Sequence, residues 1–302
     1  MRPMDTFSAA SPAAAVDLLD ALDDRLAPYA HTFMGYYANH APMATEAMIA
    51  LGRTERAEQY VQRWIHELDL IDPNSAYAER LERVRAAVDA DWRVAVADVA
   101  REASADGFAH LGHGVIRTGH AVRALQAHDS VARRGELARA LTAWAEWAES
   151  DALPDGSTAR SADELVTELV QRAMAGYAES PPGRPSFFAL HTVTTAVAID
   201  RVRSVLPDRL AAASVSAFLA AMHEHIGVTP VAGDPADMPY DLAPLIDRAV
   251  ASGDAHDIKL VDALVFPPTG LTPTDPNRDA AIERFAADLG VVLERRPGAE
   301  SE

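Results

Sequence analysis

Apolar residues recur along the chain at spacings of three and four, and β-branched runs that alternate strictly with polar residues are missing. A spacing of three and four places apolar side chains on one face of an α-helix, whereas a half-buried β-strand needs strict alternation. The pattern therefore predicts an all-α chain. The predicted helices span about residues 11–28, 40–52, 54–71, 76–103 (one or two helices), 106–127, 133–149, 162–178, 186–206, 208–226, 245–251, 256–265 and 277–293.

The remaining segments are predicted to connect these helices. They include 29–39, the polar stretch 150–161, the proline-rich stretch 180–185 and the stretch 227–244. The last of these carries four prolines and is expected to be a long ordered loop, which is typical of a lid or a site wall. No interdomain linker is evident, so we expect a single compact domain over residues 1–302, with fraying ends at 1–10 and 295–302.

Four glycines fall within the predicted helix 106–127, namely Gly107, Gly112, Gly114 and Gly119. Each glycine weakens a helix by about 1 kcal/mol relative to alanine. Their concentration in one helix predicts that it packs closely against another backbone or against a ligand.

Composition and charge limit the possible partners. The formal net charge of -18, without a basic block, argues against nucleic acid and against a membrane surface. There is no cysteine, so any metal must be held by histidine, by a carboxylate or by a rarer ligand. The stretch 1–12 has no basic and apolar leader, and no run of 18 apolar residues follows, which predicts a soluble, cytoplasmic protein.

Lysine is almost absent from the chain. Of 27 lysines and arginines, only Lys259 is a lysine. Arginine keeps its charge, whereas a buried lysine can lose its proton and become a nucleophile or form a carbamate. A single surviving lysine on an exposed helix is the simpler alternative, since the composition is rich in arginine throughout.

Several of the eleven histidines lie in apolar surroundings. His40 and His191 are set in apolar segments, where burying an imidazole requires a partner. His256 lies three residues before the single lysine, so both share one helix face. His113 and His120 are seven residues apart, which is about 10.5 Å along a helix and too far for one metal ion. A lone histidine in such a place is often a satisfied core residue.

The common catalytic motifs are missing. No Glu-x-x-His pair of a di-iron bundle, no His-Glu-x-x-His helix of a zinc protease and no glycine-rich nucleotide loop occurs. NADPH is possible as a reductant, although no motif in the chain supports its binding.

Four groups of residues, in order along the chain, resemble one family. They are Asn39-His40-Ala41-Pro42-Met43 with Ala50-Leu51-Gly52, His113-Gly114-Val115-Ile116, Leu190-His191-Thr192-Val193-Thr194, and His256-Asp257-Ile258-Lys259. The chain resembles the questin oxidase-like proteins, which are known for fungal oxygenases that cleave anthraquinone rings in polyketide pathways. The resemblance covers about residues 30–265. Each group alone is a weak signal, but their shared order makes the match fairly specific.

The resemblance implies one non-haem iron held by four histidines and a carboxylated lysine. Transferred residue by residue, the ligands are His40, His113, His191, His256 and Lys259. In this implied site, carbon dioxide is added to the lysine amine as a carbamate, which an arginine could not form. Fungal relatives tend to have an aromatic residue near His120, so the substrate is less certain than the metal ligands.

These observations together predict an oxygenase of aromatic polyketides or quinones, which uses dioxygen for ring cleavage or for Baeyer–Villiger-like insertion. His120 is the candidate proton donor or acceptor, because its unperturbed pKa lies near neutrality. Candidate residues for an apolar pocket are Tyr36, Tyr37, Phe108, Phe187 and Phe188. Two alternatives remain, namely a metal-dependent hydrolase and a non-catalytic helical protein. The oligomeric state cannot be inferred.

Overall fold

The structure is a computed structural model that describes residues 12–106, 108–148, 153, 159–223, 240–266, 268 and 275–294. The predicted all-α class is confirmed, because nearly all of the regular structure is helical. The helices are α1 (Pro12–Leu26), α2 (Ala41–Ala50), α3 (Thr54–Trp64), α4 (Ala76–Ala103), α5 (His113–Ala127), α6 (Val131–Trp147), α7 (Ala162–Glu179), α8 (Arg184–Arg203), α9 (Asp208–Ala221), α10 (Ala243–Ser252), α11 (Ala255–Val265) and α12 (Pro276–Asp288).

Serine and aspartate side chains begin several of these helices. Ser75, Ser130 and Asp275 accept hydrogen bonds from backbone N–H groups in the first turns of α4, α6 and α12. Ser161 and Glu164 form a reciprocal capping box at α7. Such caps satisfy N–H groups that have no partner within the helix, so the starts of these helices follow from local sequence.

The structure differs from the predicted pattern at the connection 29–39, at the start of α5 and at some helix ends, such as those of α3 at Trp64 and α12 at Asp288. A break within α4 agrees with the prediction of one or two helices over residues 76–103. The connection 29–39 contains a short antiparallel hairpin of β1 (Thr32–Phe33) and β2 (Tyr37–Ala38). Helix α4 is broken at Asp91, whose carboxylate accepts the N–H groups of Arg93 and Val94 and so caps the second half. The predicted helix start at residue 106 is wrong, because α5 begins only at His113.

Several predicted features lie outside the described residues. These are Gly107, the ends 1–10 and 295–302, residues 150–152 and 154–158 of the polar connector, and residues 227–239 of the predicted long loop.

Helix α5 lies at the centre and packs against α2, α6 and α8. Two of its glycines allow this close approach. A Cβ atom at Gly114 would lie 2.6 Å from the Cα atom of Trp144 in α6, and one at Gly119 would lie 2.8 Å from the Cα atom of Ala198 in α8. Both distances are shorter than non-bonded carbon contacts, so the predicted close packing against another backbone is confirmed at these two positions.

Helix α11 packs against α2, α8 and α10 and completes the surroundings of the central helix. The start of α2, the start of α5, the body of α8 and the first turn of α11 are thereby brought to one region of the interior. In the part of the chain that the structure describes, no helix has both the length and the apolar character needed to cross a membrane.

Candidate metal centre

Four histidines form a ring of contacting imidazoles: His40 lies just before α2, and His113, His191 and His256 lie on α5, α8 and α11. The ring centroids of His40 lie 4.7 Å from those of both His113 and His256. Those of His191 lie 5.0 Å from His113 and 5.1 Å from His256. These are the four histidines that the resemblance implies as ligands, and spacing alone gives no sign of their meeting, since 216 residues separate the first from the last.

Hydrogen bonds at Nδ1 orient three of these imidazoles. His113 donates to the carbonyl oxygen of His110 at 2.5 Å, and His191 donates to the carbonyl oxygen of Phe187 at 2.7 Å. His256 donates to a carboxylate oxygen of Asp254 at 3.0 Å. An oxygen acceptor fixes the proton on Nδ1 and leaves the lone pair on Nε2. This is the tautomer that binds a metal through Nε2.

The Nε2 atoms of His40 and His113 lie 2.8 Å apart. Two nitrogen ligands about 2.1 Å from one metal ion and at right angles to each other are separated by about 3.0 Å. The short distance between the two nitrogens thus suits adjacent ligands of one ion. The possible ligand atoms of His40, His113 and His256 all lie within 4.8 Å of one another. His191 is not in this tighter group, and it joins the cluster through the two ring contacts given above.

Lys259 lies one turn after His256 on α11 and is almost fully buried, with 1% of its surface exposed. Its Nζ has no hydrogen-bond partner among the described residues, and neither does the Nε2 of His191 or of His256. A buried polar atom without a partner costs about 1–3 kcal/mol. A bound species among these three atoms would give each of them a partner. The donors present, imidazole nitrogens and an amine able to form a carbamate, fit a transition-metal ion.

Burial sets the protonation of this cluster. Burial lowers the pKa of Lys259 to about 7, and the carboxylate of Asp254 opposes this only in part. Burial, and then the charge of Lys259, lower the pKa of His40, His113 and His191 well below the usual range. At neutral pH the imidazoles are therefore free to bind a metal, and a large share of the lysine is a neutral amine.

A cavity of about 600 Å³ opens beside this cluster. Its wall includes the imidazoles of His40, His113 and His256, and many of the other described residues that line it are aromatic. The aromatic residues are Phe33, Tyr36, Tyr37, Tyr60, Trp64 and Phe187. Neither lysine nor arginine is among the described lining residues. The volume is typical of a small-molecule site. Of the predicted pocket residues, Tyr36, Tyr37 and Phe187 line the cavity, whereas Phe108 and Phe188 are not among its lining residues.

The structure places His120 away from the cavity, which corrects its assignment as a proton donor or acceptor for substrate. Its Nδ1 lies 2.6 Å from a carboxylate oxygen of Glu46, which also accepts hydrogen bonds from Arg123. Arg123 and Arg201 both pair with Asp262. About two helical turns separate this imidazole from His113 and place it in the buried network.

This ion network had no signature in the sequence, although it joins all four helices that carry the histidine cluster. Its members come from α2, α5, α8 and α11, and all of them are buried or largely buried. Charged groups buried in this way are stable only as a set, since loss of one member leaves another unpaired. The network therefore fixes the positions of the four helices relative to one another near the histidine cluster.

Comparisons of the chain with models of protein families, with curated proteins and with solved structures find no match. The resemblance to questin oxidase-like proteins accordingly rests on the sequence segments described above.

Replacement of the buried amine gives a test of the site in metal-free protein. We expect Lys259→Met to be more stable than wild type at pH 7 by about 1–3 kcal/mol, because methionine fills similar volume without burying an unpaired amine. Urea unfolding in the presence of a chelator measures this difference.

The same difference should depend on pH. The pKa of Lys259 is about 7 in the folded protein and about 10.4 in the unfolded chain. Between these values the unfolded wild type binds more protons than the folded one, so wild-type stability rises with pH. The advantage of Lys259→Met should shrink from pH 7 to pH 10. A constant advantage would show that the amine is not desolvated.

Proposed function

We propose that the protein is a non-haem iron oxygenase that acts on an aromatic polyketide or quinone. One observation carries the proposal: four imidazoles and the only lysine of the chain cluster in the interior, and three of the imidazoles line an aromatic cavity. Three buried donor atoms of this cluster have no hydrogen-bond partner among the described residues. His40, His113, His191, His256 and Lys259 would hold the ion.

The lysine favours iron as the metal, because its amine can form a carbamate. A neutral amine attacks carbon dioxide through its nitrogen lone pair, forms a C–N bond and releases one proton, and the product is an anionic carbamate. This supplies a hard oxygen ligand to a cluster that, among the described residues, groups histidines without a carboxylate. A set of imidazole and oxygen ligands favours iron, and less exclusively manganese, cobalt, nickel or zinc. When bound, iron supplies the activation of dioxygen.

The cavity residues would bind and orient the substrate. Aromatic side chains such as Tyr36, Tyr37 and Phe187 offer flat apolar surfaces on which a fused ring system can stack. Burial raises the pKa of Tyr60, so its hydroxyl stays protonated at neutral pH and can donate a hydrogen bond to a quinone oxygen. With no lysine or arginine among the described lining residues, the cavity favours uncharged ligands over carboxylates.

Metal analysis of the purified protein tests the proposal. We expect about one iron per chain, and we expect His191→Ala to lower iron content about tenfold or more, since it removes a ligand that is buried in the cluster. His128→Ala is the matched control, because His128 is exposed and lies outside the cluster. It should retain the wild-type iron content.

Dioxygen consumption in the presence of hydroxylated anthraquinones tests the reaction class. Uptake that requires both iron and the aromatic compound supports the oxygenase. Zinc in place of iron, with hydrolysis of ester or amide substrates, would instead support the metal-dependent hydrolase. A freshly isolated protein without metal would support a non-catalytic helical protein.

A further inference from the structure

The backbone that precedes α5 forms a turn of left-handed helix. His110 has φ 48 and ψ 38, Leu111 has φ 58 and ψ 32, and Gly112 has φ 74 and ψ 8. This region is unfavourable for L-residues other than glycine, and such residues visit it singly rather than in succession. Two consecutive non-glycine residues are therefore held here by their surroundings, and conformations of this kind cluster at ligand sites.

The turn contacts the metal cluster through the carbonyl of His110. That oxygen accepts a hydrogen bond from the backbone N–H of His113 and a second one, at 2.5 Å, from the Nδ1 of the same residue. A single carbonyl thus fixes both the backbone and the ring of His113. Its Nε2 is consequently aimed at the Nε2 of His40, 2.8 Å away.

The far side of the turn is fixed by α8. A Cβ atom at Gly112 would lie 2.1 Å from the Oγ1 of Thr195, so the glycine backbone is in close contact with this side chain. Thr195 lies one helical turn after His191, the buried histidine of α8. The left-handed turn is therefore wedged between the segments that carry two of the proposed ligands. His110 and Leu111 also line the cavity, so the same turn forms part of its wall.

We propose that the left-handed turn His110-Leu111-Gly112 is a positioning device for His113, in which an unfavourable backbone conformation is retained because it raises metal affinity. The proposal rests on the metal site of the proposed function. A right-handed start of α5 would use the carbonyl of residue 110 for a helical N–H further along the chain. The left-handed turn instead directs that carbonyl to the backbone N–H and the Nδ1 of His113.

Substitutions at Leu111 separate the backbone from the side chain. Leu111→Val keeps an apolar side chain but opposes the turn, because the left-handed region is a genuine outlier for a β-branched residue. Leu111→Asn also removes the leucine, but asparagine tolerates the left-handed region better than other non-glycine residues and so retains the turn. Met34→Val is the matched control, because Met34 has a φ of 52 in the hairpin turn and is 75% exposed. It is not among the described residues that line the cavity.

Titration of Co²⁺ into the metal-free proteins, followed by its absorption spectrum, measures affinity. We expect the dissociation constant of Leu111→Val to rise about tenfold or more, as for loss of the partner that orients a metal-bound histidine. Leu111→Asn and Met34→Val should stay close to wild type. Thermal unfolding of the metal-free variants checks that the loss of affinity does not arise from an unfolded protein.

Two results would overturn this inference alone. One is a Leu111→Val variant that binds Co²⁺ as tightly as a metal-binding wild type. The other is a Leu111→Asn variant as weak as Leu111→Val, which would assign the effect to the leucine side chain. A wild type that binds neither iron nor Co²⁺ would overturn the proposed function as well.

Discussion

Lys259→Ala is expected to lose nearly all bound iron, and Lys259→Arg should lose it to the same extent. Alanine removes the amine, and arginine keeps a charge in the cluster but cannot form a carbamate. The lysine is buried, so its replacement by alanine leaves a space away from bulk solvent that a small carboxylate can enter. Iron content after purification, with and without bicarbonate, measures the effect. Short carboxylates such as acetate should partly restore iron to the alanine variant.

A conservative change on the same helix gives the control for this experiment. Leu260 is fully buried next to the lysine, and Leu260→Met should leave iron content unchanged at a cost below about 1.5 kcal/mol in stability. Unchanged iron in Lys259→Ala would remove the lysine from the ligand set. Full iron in Lys259→Arg would show that a positive charge, and not a carbamate, is what the site requires.

Gly119→Ala is expected to destabilise the protein by about 1–3 kcal/mol or more, although alanine is the better helix former. The added Cβ would lie 2.8 Å from the Cα and 2.9 Å from the carbonyl oxygen of Ala198, and neither backbone atom can move without shifting α8. Urea unfolding measures the change.

Gly135→Ala is the matched control for this prediction. Gly135 lies inside α6, and a Cβ there would meet only the end of the Arg139 side chain at 3.6 Å. This variant should gain up to about 1 kcal/mol from helix propensity. Equal gains at both positions would contradict the close packing of α5 on α8.

Most of the helices can be predicted from the sequence, because the residues that define a helix lie within it or next to it. Apolar spacing and caps such as Ser161 and Asp275 lie within a few residues of the helix that they begin. The start of α5 was predicted too early, since the pattern from residue 106 is compatible with a helix. What decides against it is the contact of Gly112 with Thr195, 83 residues away, and no local pattern contains that contact.

The features of the candidate site also divide into those that are visible in the sequence and those that only the fold brings together. The unusual choice of lysine at position 259 is visible in the sequence, because every other basic residue is an arginine. The hydrogen bonds from His113 to His110 and from His256 to Asp254 are not visible, since they depend on backbone direction. Asp254 carried one usable signal, as an aspartate placed to cap α11 just before His256. The role given to His120 could be corrected only once its partner Glu46 was placed by α2.

Anomalous diffraction at the iron edge, from a crystal of protein grown and purified without chelator, tests whether the four imidazoles and Lys259 hold iron. We expect one peak within bonding distance of the Nε2 atoms of His40, His113, His191 and His256. We also expect density for a carboxylate on the Nζ of Lys259 directed at that peak. A crystal of such protein with a bare amine at Lys259 and no metal between the four imidazoles would contradict the proposed iron site.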